Sequence, residues 1–176
     1  LIQIKSYAGV LILLGLGVSS LWQMIRKKEH SLFKVLILSS LISFVIFFPF
    51  IRESSKMLVF QPFWFLETMM TYSDRLGWDR FYSAMTTYKM GKIWFKEILA
   101  YGSAFAIFLV GNMGSRIIGF YIFVKILKKQ IKINEVEVFI LSIVFFAVLI
   151  PMFFVQKGTP WNTIQFFYYF LFFFSL

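Results

Sequence analysis

Val138-Phe139-Ile140-Leu141-Ser142-Ile143-Val144-Phe145-Phe146-Ala147-Val148-Leu149-Ile150-Pro151-Met152-Phe153-Phe154-Val155 runs without a single charged side chain. As a helix it would rise about 27 Å, close to the hydrocarbon thickness of a bilayer, about 30 Å. Four further apolar runs lie at residues 7–25, 35–51, 98–127 and 163–176, of which only 98–127 carries charges, Arg116 and Lys125. The composition agrees: 60% of the residues are hydrophobic and 22% aromatic, with 25 Phe and only 15% charged. A soluble domain is about 45–50% apolar, and this chain has too little polar surface to cover its apolar one. The reading is an all-α polytopic membrane bundle formed by one domain over residues 1–176.

Composition also excludes chemistry. There is no Cys, and His30 is the one histidine, so disulfides, thiolate metal sites and multi-histidine sites are ruled out, and no metal or cofactor is expected. No Ser-His-Asp set, Walker loop, zincin or Rossmann signature occurs. The first run lacks the basic leader and small-residue cleavage site of a signal peptide. The last run, as a helix, reaches about 21 Å and stops short of a full crossing. It is expected to be a truncated span, and the chain a piece of a longer protein.

The net charge of +10 is a topology signal. Arg26, Lys27, Lys28 and Lys34 crowd one short connection, and Lys125, Lys128, Lys129 and Lys132 another. The positive-inside bias puts both in the cytoplasm and puts residues 52–97 and 156–162 outside, in an integral cytoplasmic (inner) membrane protein. No basic stripe lies on a soluble face, so nucleic acid is not an expected partner; membrane lipid is.

The outer segment 52–97 is too aromatic for a solvated loop. Phe60-Gln61-Pro62-Phe63-Trp64-Phe65-Leu66 suits the headgroup region, with Pro62 in the first turn of a helix. Trp78, Phe81, Tyr82, Met85 and Tyr88 recur at helical spacing, and Gly91 is placed to end that helix. Two short interfacial helices are expected, joined by a turn at Ser73-Asp74-Arg75-Leu76-Gly77; they either brace the bundle or lie as a lid over an outer site.

Several residues could carry chemistry there. Arg116, beside the break Gly111-Asn112-Met113-Gly114-Ser115, is either an anion ligand or a charge at the cytoplasmic edge. In Gln156-Lys157-Gly158-Thr159-Pro160-Trp161-Asn162-Thr163-Ile164-Gln165, Trp161 offers a face for a sugar ring, Asn162 an amide and Lys157 a charge for phosphate. The same residues also read as interface punctuation, a Trp belt with a snorkelling Lys. Glu67, Asp74 and Asp79 are the outer acids available as a general base or, alternatively, for helix capping and for surface ion pairs with neighbours such as Arg75 and Arg80.

From about Phe60 to the end, Glu67-Thr68-Met69-Met70, Asp74-Arg75-Leu76, the Gly111–Arg116 break and Gly158-Thr159-Pro160-Trp161-Asn162-Thr163-Ile164-Gln165-Phe166 resemble the later spans of bacterial polytopic GT-C membrane glycosyltransferases, of the dolichyl-phosphate-mannosyltransferase-like group. The resemblance implies transfer of a sugar from a polyprenyl-phosphate donor outside the cytoplasmic membrane. Substrate would be bound by residues among Arg75, Arg80, Lys157, Trp161 and Asn162. The family's catalytic acid lies on a loop before this region, so no catalytic residue maps onto these positions. A transporter or flippase for a lipid-linked glycan, and a non-catalytic membrane scaffold, fit the same bundle. The orientation is directly testable because the chain has no native Cys: Ser73→Cys is expected to react with an impermeant thiol reagent from outside and Gln130→Cys is not. The opposite labelling pattern inverts the topology.

Overall fold

The charge-free run opens in a capped helix. Asn134 accepts hydrogen bonds through its side-chain oxygen from the N–H groups of Val136 (2.8 Å) and Glu137 (3.2 Å), while the Glu137 carboxylate accepts the Asn134 N–H (2.9 Å). This reciprocal box satisfies donors that the first helical turn leaves without partners. The helix, Glu135–Phe153, is the centre of the fold. In the computed structural model, which describes residues 2–48, 58–128 and 133–175, the order is α1 (Ile2–Lys27), α2 (Ser31–Phe47), β1 (Leu58–Phe60), α3 (Trp64–Thr71), α4 (Asp79–Met90), α5 (Trp94–Met113), a 3-10 turn (Gly114–Ile118), α6 (Gly119–Leu127), α7 (Glu135–Phe153), β2 (Phe154–Gln156), a 3-10 turn (Pro160–Ile164) and α8 (Gln165–Phe173).

α1 and α8 both pack along α7. α1 runs antiparallel to it. Lys27 at one end forms an ion pair with Glu135 (2.5 Å), and Tyr7 at the other donates its hydroxyl proton to Gln156. Gly15 lets the two helices approach: a β-carbon there would lie 2.9 Å from the Phe139 ring and 3.2 Å from Ile143. The side chains of Leu11, Ile143, Ala147, Phe166 and Phe167 fill the core between the three helices. The Tyr7 ring meets Phe166 edge-on at 4.8 Å.

α2 folds back against α1, with Gln23 of α1 capping it. The Gln23 carbonyl oxygen accepts from the Leu32 N–H (3.1 Å) and the Ser31 hydroxyl (3.2 Å), and its amide donates to Glu29 (3.1 Å). The remainder of α2 is apolar yet exposed, with Leu38 61% and Val45 70% accessible. Among the described residues, Tyr7–Lys27, Trp94–Tyr121 and Glu135–Phe153 are long and apolar enough to cross a membrane, and Ser31–Ile46 is a shorter apolar helix.

The elements depart from the sequence reading at their edges. The run 138–155 is helical only to Phe153; Pro151 has no N–H to donate, and the chain turns extended at Phe154–Gln156. The run 98–127 starts earlier, at Trp94, and is interrupted by the 3-10 turn Gly114–Ile118, where Gly114 has a φ of +52°. In the run 163–176 the first residues are 3-10 and the helix begins at Gln165. The run 35–51 begins at Ser31, and its final residues 49–51 lie outside the described residues. Two short helices and a turn do occupy the segment after Phe60, but β1 precedes them, and Pro62 lies in the turn before α3 rather than in its first turn. Gly91 caps α4 as expected, while the left-handed residue that reverses the chain is Lys92, at φ +51°.

The close approach at Gly15 predicts that Gly15→Leu overpacks the α1–α7 contact and destabilises the fold by about 1–3 kcal/mol. Gly17→Leu, where an added β-carbon meets nothing within 4 Å, is expected to be neutral. Thermal unfolding in detergent compares the two; equal melting temperatures would contradict the packing.

Candidate functional site

The last carbonyls of α7 have no partners within the helix, and the segment after residue 57 supplies them. Gln61 donates its N–H to Phe153 (2.8 Å) and Phe63 to Met152 (2.7 Å). Upstream of these bonds, β1 pairs antiparallel with β2 in the register Leu58↔Gln156, Val59↔Val155 and Phe60↔Phe154. The indole N–H of Trp64 completes the join at the Phe154 carbonyl (2.9 Å). Phe63 adopts a left-handed φ of 62°, which bends the chain sharply into α3. The segment that carries α3 is thereby fastened across the end of α7, with Phe65, Leu66, Met69 and Met70 of α3 buried.

The turn after α3 is tied back onto that helix. Arg75 donates its N–H to Tyr72 (3.0 Å), Leu76 to Met69 (3.2 Å) and Trp78 to Met70 (2.8 Å). This carries the Arg75 guanidinium to 4.2 Å from the centroid of the Trp161 ring. Trp161 is held from the other side. Its 3-10 turn is anchored by the buried Thr163 hydroxyl, which accepts the Gln156 N–H (2.9 Å), and the indole packs against Trp64 (5.9 Å), Phe65 (6.4 Å) and Tyr72 (6.5 Å). Asp74 lies 3.4 Å from Arg75 Nε, an exposed pair of little energetic weight. The cation–π contact is worth about 0.5–1 kcal/mol at such a site, enough to bias the guanidinium toward the indole face.

Arg75 and Trp161 line a cavity of about 400 Å³ together with Asn112, Phe108, Phe167 and Tyr168. Among the described residues, Arg75 is the charged residue of that lining and no Asp or Glu contributes to it. Asn112, part of the Gly111–Arg116 break, donates its amide to the Phe108 carbonyl (2.8 Å). A rigid guanidinium beside aromatic faces can pair with a phosphate or carboxylate bidentately and leave a flat apolar surface for the body of the ligand.

The other expected site residues lie elsewhere. Lys157 is exposed and lines a separate hollow of about 520 Å³ with Leu58, Val59, Gly158 and Pro160. Asn162 is turned to its own loop, donating its amide to the Thr159 hydroxyl (2.9 Å). Arg80 is exposed on the first turn of α4. Arg116 donates through Nε to the Ser175 hydroxyl (2.8 Å). Of the acids, Glu67 is engaged by Lys89 (2.6 Å) and by the Tyr101 hydroxyl, joining α3 to the α4–α5 hairpin. Asp79 sits at the N-terminus of α4, where the helix dipole favours a negative charge. Among the described residues no group of three potential metal ligands occurs.

Sequence reasoning did not anticipate Glu67 as a brace, Trp64 as a clamp or Asn112 as part of the lining. Trp64 carried a readable signal, since a buried indole N–H must find an acceptor. Comparisons of the chain with family models, with curated proteins and with solved structures gave no match.

Proposed function

We propose that the chain is part of a polytopic protein of the cytoplasmic membrane whose Arg75–Trp161 cavity receives the sugar-phosphate head of a polyprenyl-phosphate at the outer surface, as in a GT-C-like transferase. Three features support this reading: helices of membrane-spanning length, exposed apolar faces on α2, and basic residues concentrated in the connections around residues 26–34 and 125–132. The observation that carries it is the guanidinium held over an indole at the wall of an open cavity. Arg75 meets the phosphate charge, and the aromatic wall, including the exposed part of Trp161, meets the sugar. Lys157, Arg80 and Asn162 do not line this cavity and are assigned no contact in it.

A second reading, a carrier or flippase for a lipid-linked glycan, would bind the same head without a general base. In both readings Arg75 is the anion ligand. Arg75→Ala is expected to weaken binding of a polyprenyl-phosphate sugar to the full-length protein in nanodiscs about tenfold or more, the loss of a hydrogen bond to a charged group. Trp161→Ala is expected to act in the same direction, and Lys157→Ala to leave binding unchanged. Wild-type affinity in Arg75→Ala, or a loss confined to Lys157→Ala, contradicts the assignment. Hydrolysis or transfer of the bound sugar by the full-length protein separates transferase from carrier.

A further inference from the structure

A second cavity, of about 410 Å³, lies between α5, α6, α7 and α8 beneath α3. Its volume falls within the range of about 300–1,000 Å³ typical of ligand sites. All its lining side chains are apolar: Leu141, Val148 and Met152 come from α7, Phe105 from α5, and Phe170 and Phe174 from α8. Water entering it would find no hydrogen-bond partners among them. From Leu141 to Met152 the α7 lining extends about 16 Å along the helix axis, comparable with one bilayer leaflet at about 15 Å. Its rim residues Phe145 and Phe120 are 58% and 42% accessible, so the cavity opens sideways between the helices.

The cavity is separate from the Arg75 site. Phe65, Phe108, Phe167, Phe170 and Phe174 form a continuous aromatic row, with successive centroids 4.6, 4.5, 4.9 and 5.2 Å apart. The first three rings face the Arg75 cavity and the last two the apolar one, and the two cavities share no lining residue. We infer that the apolar cavity holds one acyl chain of a bilayer phospholipid, entering laterally between α6 and α7, as a constituent separate from any ligand whose head sits at Arg75. The inference rests on the membrane reading of the bundle but not on the sugar-phosphate assignment. The aromatic row argues for a bilayer lipid over the tail of a polyprenyl-phosphate, because it lies across the direct path from a head at Arg75, whereas a bilayer chain enters from the open side.

The test uses the full-length protein in liposomes containing a phosphatidylethanolamine with a photoreactive diazirine in mid-chain, and separately a diazirine polyprenyl phosphate. Adducts are mapped by mass spectrometry. The phospholipid probe is expected to label Phe105, Leu141 or Val148 as well as the exposed α2 residues Leu38 and Val45. Val148→Trp, and independently Leu141→Phe, are expected to reduce the cavity adducts to background while the α2 adducts persist, which shows that the variant remains folded in the bilayer. Arg75→Ala is expected to change neither set. Labelling of α2 without labelling of the cavity overturns the inference and leaves the membrane reading intact, whereas loss of both overturns the two together. Cavity adducts from the polyprenyl probe alone, or cavity adducts that survive both filling substitutions, also overturn it.

Discussion

The carbonyl groups at the end of α7 are the constraint on which the rest depends. A helix ends with carbonyls that lack partners, and where apolar surroundings exclude water each such group costs on the order of 1–3 kcal/mol. Here Met152 and Phe153 find donors in Phe63 and Gln61, and Phe154 finds one in the Trp64 indole. Three bonds therefore do two things at once. They finish the helix, and they fix where the segment leading into α3 begins. α3 starts from this fastening, and the Arg75 turn is tied in turn to α3.

Arg75 and Trp161 meet as a consequence. Trp161 hangs from the loop that follows β2, and Arg75 from the turn that follows α3, which itself follows β1. The β1–β2 pairing is thus the short structural path between residues distant in sequence. Glu67 steadies the same arrangement from behind by drawing Lys89 and Tyr101 toward α3. The result is a guanidinium with restricted freedom facing an open cavity, so less conformational entropy is lost when an anion pairs with it. A row of aromatic rings lies between this cavity and the apolar one, and the two share no lining residue.

Much of this was legible in the residues. A charge-free run of this length predicts α7, and aromatic residues at helical spacing predict α4. The turn at Ser73–Gly77 is announced by Gly77, which adopts a φ of +56°. The ends of elements were harder to read. Phe154 and Val155 belong to the same apolar run as α7, and periodicity alone cannot separate a helical from an extended tail in such a run. Lys157 illustrates the consequence: the extended stretch ends at Gln156, which is buried, and Lys157 falls in the exposed bend that follows, beside a hollow other than the Arg75 cavity. Glu67 was readable as an acid but not as the partner of Lys89, because only the tertiary fold joins α3 to α4.

The fastening of β1 to the end of α7 can be measured without reference to any ligand. Paired strand residues have Cα atoms about 4.5–5.5 Å apart, within the range a disulfide spans. In the full-length protein in membranes, with no other cysteine in this chain, Val59→Cys combined with Val155→Cys should cross-link readily under mild oxidation. Val59→Cys with Val148→Cys, some two turns back along α7, should not. Efficient cross-linking of the first pair alone is the result this account predicts. Equal reactivity of both pairs, or none at the first, would mean that β1 does not lie on the end of α7, and the Arg75–Trp161 cavity would lose its structural basis.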